Sequence, residues 1–153
     1  MSEIKVDKQQ ALKAYGSASA ATKKVLEGLF GKENLKHSIT ERIKTFEDAC
    51  KELKLDPKTA ISKTDTLDEV AYKKLKIIAR ALNQGWKPDY TNGNQGKYYP
   101  WFEYKKGSGF SFFFVFCNDT DSRVGSRLCF ETEQLAEYAG KQFQSIYNDF
   151  LKP

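Results

Sequence analysis

The sequence predicts an α+β fold, with a small antiparallel sheet of about three strands packed against an N-terminal helical region and a long C-terminal helix. Three observations carry that expectation. Apolar residues recur at three- and four-residue intervals on both sides of the chain's centre, the spacing of an amphipathic helix. Between them, over residues 86–130, the period drops to two and Gly, Pro and Asn turn signals interrupt it. This central stretch also carries most of the Tyr, Trp and Phe, in the runs GWKPDYTNGNQGKYYPWFEY, GFSFFFVFC and SRVGSRLCF.

Residues 7–30 are helix-compatible, with Leu12, Val25, Leu26, Leu29 and Phe30 as apolar members. Gly16 and Ser17 either break this segment in two or, with the neighbouring alanines, allow close packing. Gly31 suits a helix C-cap. Ser38 and Glu41 have capping-box spacing, and Ile43, Phe46, Ala49, Cys50 and Leu53 continue the helical period until Pro57 disfavours it. Thr66 and Glu69 form a second capping-box pair. The helix that follows buries Val70, Ala71, Leu75, Ile78, Ala81 and Leu82 and ends at Gly85.

Pro88, Asn92, Gly93 and Gly96 then mark 86–96 as an ordered loop. In the strand expected over 97–104, Tyr98, Pro100, Phe102 and Tyr104 share one face and Tyr99, Trp101 and Glu103 the other. Pro100 lacks a ladder donor, so this strand belongs at an edge or carries a bulge. Alternation over 110–117 sets Phe110, Phe112, Phe114 and Phe116 together as core, opposite Ser111, Phe113, Val115 and Cys117, and a strand apolar on both faces is expected to be central. A third strand is expected over 123–130. Thr132 then caps a long helix whose inner face carries Leu135, Ala139, Phe143, Ile146 and Phe150.

At 153 residues the chain is long enough for one domain that buries roughly two-thirds of its unfolded surface. We divide it into a variable helical extension, 1–37, and an α+β core, 38–153. No apolar run approaches the ~20 residues that cross a bilayer, and the opening MSEIKVDKQQ lacks the apolar core of a secretory signal, so no membrane partner and a cytoplasmic location are expected. Cys50, Cys117 and Cys129 sit in periodic apolar patterns without CxxC spacing and read as reduced core residues. The net charge of +5 comes entirely from residues 1–85, where lysines alternate with acids as on a solvated helix face.

The runs WKPDYTNGNQGKYYPWF, VGSRLCF and QLAEYAGKQF resemble small bacteriophage and prophage proteins of gut bacteria, over about residues 39–151 and not at the start of the chain. No activity comes with the resemblance. What it implies is an origin in a phage or mobile element, and with it an accessory, host-interaction or virion role.

For catalysis the residues offer little. The single histidine, His37, reads as an exposed polar residue, and without a second histidine or clustered cysteines no zinc site is expected. Asp119 and Asp121 stand two apart in a turn, a spacing that could bind a cation or serve as an acid-base pair, although carboxylates in such a place usually satisfy backbone donors. No GxxxxGKS/T, GxSxG or HExxH motif is present. The expectation is a non-enzyme without a cofactor.

Binding has more support. Trp86, Tyr98, Tyr99 and Trp101 can stack on a base, with Lys87 and Lys97 nearby in sequence. Arg123 and Arg127 flank a glycine and Ser126 in RVGSR, a candidate anion site. The ligand set is therefore Trp86, Lys97, Tyr98, Tyr99, Trp101, Arg123, Ser126 and Arg127. Its expected partner is a nucleotide-like ligand, a cyclic nucleotide-type signal or a short nucleic acid. The same residues also fit plain packing, with Arg127 paired to Glu131 or Glu103. The alternative function is a virion or protein-interaction module whose aromatic sheet is covered by copies of itself or by a partner.

Overall fold

A computed structural model describes residues 7–35 and 38–153. His37 lies outside the described residues. The chain divides into two compact units, Met1–Arg42 and Ile43–Pro153.

In the first unit, α1 (Lys8–Ser17) and α2 (Ala20–Phe30) are separate helices, broken where Gly16 and Ser17 suggested. Ser19 begins α2, its Oγ accepting the Thr22 N–H at 3.3 Å. Gly31, at φ 80°, ends it by donating its N–H to the Glu27 carbonyl. The short α3 (Lys32–Leu35) and α4 (Ile39–Arg42) follow. At α4 the Ser38 N–H reaches Glu41 Oε2 at 2.9 Å, half of the expected capping box.

The expected continuous helix through 39–53 is interrupted at residues 43–45, and α5 (Phe46–Glu52) starts afresh in the second unit. The reason is a capping box that competes for the chain: Thr45 Oγ1 accepts from Asp48 N, and Asp48 Oδ2 accepts from the N–H groups of both Thr45 and Lys44. The long helix α6 (Leu67–Leu82) begins at Thr66, whose N–H donates to Glu69 Oε2 at 2.8 Å. It buries Ala71, Leu75, Ile78, Ala79, Ala81 and Leu82 against α5 and the C-terminal helix.

Strands β1 (Lys97–Lys105) and β2 (Gly109–Asn118) form an antiparallel hairpin, and among the described residues this two-stranded pair is the whole sheet. The expected third strand is reduced to one bridge, Tyr98 with Phe130, with N–H···O distances of 3.0 and 2.7 Å. Residues 122–128 turn instead of extending. Gly125 sits at φ 74°, its N–H is taken by Ser122 Oγ at 2.7 Å, and Leu128 N–H closes back on its carbonyl.

The expected long C-terminal helix is likewise two helices, α7 (Glu133–Gln142) and α8 (Gln144–Leu151), meeting at the buried Phe143 with φ −109°. That junction lets α8 lie along β2, where its amide side chains stand in for a third strand. Phe110 N–H donates to Asn148 Oδ1 at 2.8 Å, Phe112 N–H donates to Gln144 Oε1 at 2.9 Å, and Asn148 Nδ2 donates back to the Phe110 carbonyl. β2 is therefore a strand at an edge, not a central one.

Pairing passes from Trp101↔Phe114 to Phe102↔Phe112, leaving Phe113 as the extra residue of a β-bulge. A one-residue insertion exchanges the faces beyond it. Phe110 and Phe112 join Tyr104 and Phe102 on the face that meets α7 and α8, while Phe114 and Phe116 cross to the side of Tyr99 and Trp101. The expected single phenylalanine stripe is thus split between two faces. No helix among the described residues is long and apolar enough to cross a membrane.

Candidate functional site

The C-terminal turn of α6 begins the site. Lys76, Ile77, Arg80 and Asn83 recur at helical spacing and so share one flank of the helix. Gln84 at φ 47° and Gly85 at φ 88° then turn the chain sharply, and the Trp86 N–H caps the helix on the Asn83 carbonyl at 2.9 Å. Pro88 stiffens the segment behind the indole.

Asn83 joins this turn to the RVGSR loop. Its side chain is almost fully buried; Nδ2 donates to the Cys129 carbonyl at 2.8 Å and Oδ1 accepts the Glu131 N–H at 3.0 Å. The pairing of Phe130 with Tyr98 fixes the other side of the loop. Ser126 and Arg127 consequently stand at its tip, facing the α6 flank across an open pocket of about 630 Å³.

Lys76, Arg80, Lys87 and Arg127 bring four cations to the wall of this pocket; Ile77, Trp86 and Pro88 supply its apolar part, and Ser126 a hydroxyl. None of the four cations has an ion-pair partner among the described residues; Lys76 lies over the Tyr72 ring at 5.5 Å. Among the described residues, no Asp, Glu, His or Cys lines it. Arg127 is not paired to Glu131 or Glu103 there.

The eight sequence-predicted residues thus fall into four places. Trp86, Ser126 and Arg127 meet in the pocket. Lys97 and Tyr99 are interior. Lys97 is 1% exposed, and its ammonium donates to three backbone carbonyls, those of Asn92 (3.2 Å), Gln95 (2.6 Å) and Asp119 (2.6 Å), above the face of the Tyr90 ring at 5.3 Å. An ammonium has three donors, so none is left for a ligand. Tyr99 is 2% exposed, and its buried hydroxyl has no hydrogen-bond partner among the described residues. Burial pushes that phenol above its usual range.

Trp101 and Arg123 lie on the second sheet face, away from α7 and α8. Trp101 is tilted against Phe114 and Phe116, and the Arg123 guanidinium sits 5.5 Å from the centre of the Phe116 ring. Tyr98 occupies the bridge to Phe130, with its ring over Gly96.

The interior residues still serve the pocket at one remove. Lys97 holds the Gln95 carbonyl, and the Gln95 side chain in turn accepts from Asp89 N and donates to the Lys87 carbonyl. That chain of contacts fixes the segment bearing Trp86 to Pro88. Sequence reasoning missed Lys76, Ile77, Arg80 and Asn83, having read the α6 cations as a solvated face. The available signal was their helical spacing leading into an aromatic just past the helix end.

The remaining expectations resolve locally. Asp121 Oδ1 accepts from Asn118 Nδ2 at 2.9 Å, and the Asp119 carbonyl takes a Lys97 proton, so this turn is used for backbone and side-chain satisfaction. Cys50 and Cys129 are buried and free as expected, with thiols pushed up by desolvation. Cys117 is exposed, a correction to its place in the core that follows from its position at the end of an edge strand. No cluster of metal-binding side chains occurs among the described residues. No family model, curated protein or solved structure matches the chain.

Proposed function

We propose that this is a non-enzymatic accessory protein of phage or mobile-element origin, acting in the host cytoplasm, that binds a phosphate-bearing ligand in the pocket between α6 and the RVGSR loop. The ligand is a nucleotide, a cyclic nucleotide-type signal or a short nucleic acid, and its sequestration is the protein's role. The observation that carries this reading is the gathering of Lys76, Arg80, Lys87 and Arg127 around Trp86, with no carboxylate among the described lining residues.

Four cations without an ion-pair partner among the described residues repel each other around one concavity unless an anion joins them, and the indole offers a planar surface for a base. The helix end adds a further constraint. The C-terminus of α6 carries partial negative charge, so a phosphate here has to be held by side chains and not by main-chain N–H groups. Binding should therefore weaken steeply with salt and depend on individual Arg and Lys residues.

The test is the 260/280 nm absorbance ratio of protein purified from its host, with mass spectrometry of whatever denaturation releases, followed by titration with the released species. Arg127→Ala is expected to weaken binding about tenfold or more, the loss of one charge-assisted contact, with the melting temperature unchanged. Equal affinity of Arg127→Ala and the parent protein would sink the proposal.

The second reading, an interaction module, is favoured by a different observation. Trp101 and Phe114 are exposed together on the sheet face away from α7 and α8, and no charged residue occurs anywhere in β2. Light scattering that finds a strict monomer over a wide concentration range would count against self-association through this face.

A further inference from the structure

We infer that the pocket takes nucleoside phosphates without discriminating among the bases, holding the phosphate by charge and the base by stacking alone. This rests on the phosphate-binding reading above and narrows its ligand class. A base edge can be read only by pocket atoms that are free to bond it. Bases are told apart by two-point patterns of donors and acceptors, and the exocyclic amines of adenine and cytosine and the N1–H and N2 amine of guanine need acceptors.

Among the described side chains that line the pocket, only Asn83 and Ser126 carry an acceptor. Asn83 is 7% exposed, its oxygen already accepts the Glu131 N–H, and its nitrogen already donates to the Cys129 carbonyl. Of the side chains, that leaves one hydroxyl fully open to a ligand, and it accepts or donates equally well. Ser126 by itself therefore cannot separate one base from another. Trp86, flanked by Ile77 and Pro88, provides an apolar surface that any base can cover, since every base has a π face. The cations respond to phosphate charge, whichever base is attached.

The experiment is isothermal titration of the full-length protein in magnesium-free, low-salt buffer. The probes are ADP, GDP, CDP and UDP, then pyrophosphate, adenosine and an eight-residue oligothymidylate. The four diphosphates are expected to bind within about threefold of one another. Pyrophosphate should be about fivefold or more weaker, because it forgoes stacking, and adenosine should give no measurable heat. Trp86→Ala is expected to lower the diphosphates to the pyrophosphate level while leaving pyrophosphate itself unchanged; Trp86→Phe, which keeps an aromatic face, should restore most of the difference.

Oligothymidylate binding tighter than UDP assigns the ligand to a strand, and the reverse order assigns it to free nucleotides; the base-indifferent site stands in both. A preference above tenfold for one base overturns the inference while leaving the phosphate reading intact, and for guanine it would mean that Arg80 or Arg127 grips the base edge. Pyrophosphate as tight as the diphosphates also overturns it. Binding of none of the probes overturns the inference and the phosphate reading together.

Discussion

Lys97 shows how one side chain changes meaning between sequence and structure. Beside tyrosines in the chain it reads as a ligand cation, yet its three protons bind three carbonyls from two loops. It has no salt bridge among the described residues; its charge is met by peptide dipoles and the Tyr90 ring, with the Asp89 carboxylate acting from further off. Lys97→Met removes those bonds and leaves the carbonyls of Gln95 and Asp119 without their donor. The expected cost is on the order of 3 kcal/mol, read as a lowered denaturant midpoint, together with weaker ligand binding as the Trp86 segment loosens. Tyr99 behaves in the opposite way. Its hydroxyl is buried without a partner among the described residues, so Tyr99→Phe removes a desolvated polar atom and should leave stability equal or slightly higher. A loss above about 1 kcal/mol in that variant would show that the hydroxyl is satisfied in solution.

At the scale of elements, the hairpin, α7 and α8 form one fitted assembly. α7 lies close against β1 and β2 at Gly140, where a Cβ would lie 2.5 Å from Phe112 Cδ2 and 2.7 Å from Pro100 Cβ. The proline atom belongs to a ring fixed to the strand backbone and cannot rotate away. Gly140→Ala thus gains about 1 kcal/mol of helix propensity and loses more to overpacking, typically ~1–3 kcal/mol, plus the displacement of α7. Chemical denaturation should show a net loss, and an unchanged or raised midpoint would mean that α7 packs less closely. The bulge at Phe113 matters to the same assembly. It lets β2 present Phe110 and Phe112 to the helices and still turn Phe114 and Phe116 towards Trp101, a division that a regular strand cannot make.

At the scale of the molecule, stability is linked to pH through carboxylates that work as caps and clamps. The N–H of Lys44 is the first of the bonds that hold the Asp48 carboxyl below its ordinary range, and the Lys73 ammonium, gripping both oxygens at 2.7 Å, does the same for Asp65. Groups depressed in the folded state add stability that is fully present above the unfolded value, near pH 4, and that is lost as pH falls through the lower folded values. Melting temperature should therefore hold between about pH 7 and pH 5 and decline below about pH 4. Asp48→Asn should be less stable at neutral pH and lose less on acidification, and parallel declines in the two proteins would refute this role for Asp48.

Much of the fold follows from local chemistry and was legible on that account. The limits of α6 were written in Thr66, Glu69 and Gly85, the start of α7 in Thr132, and the hairpin in alternation around Gly107 and Gly109. These signals act within a few residues, so they keep their meaning wherever the segment is placed. The α+β class belongs to this category.

Tertiary structure decided the rest, because it depends on partners distant in sequence. Thr45 restarted a helix that apolar spacing alone would have continued, and amide side chains of α8 took the place of a third strand. A single extra residue at Phe113 changed which phenylalanines face the helices and which stand beside Trp101. The pocket itself exists only where Asn83 fastens the end of α6 to a loop 46 residues further on, so its cations come from two segments that show no relation in the sequence. Periodicity specifies which face of an element is apolar; which faces meet is determined by packing and by the hydrogen bonds that long-range contact makes available.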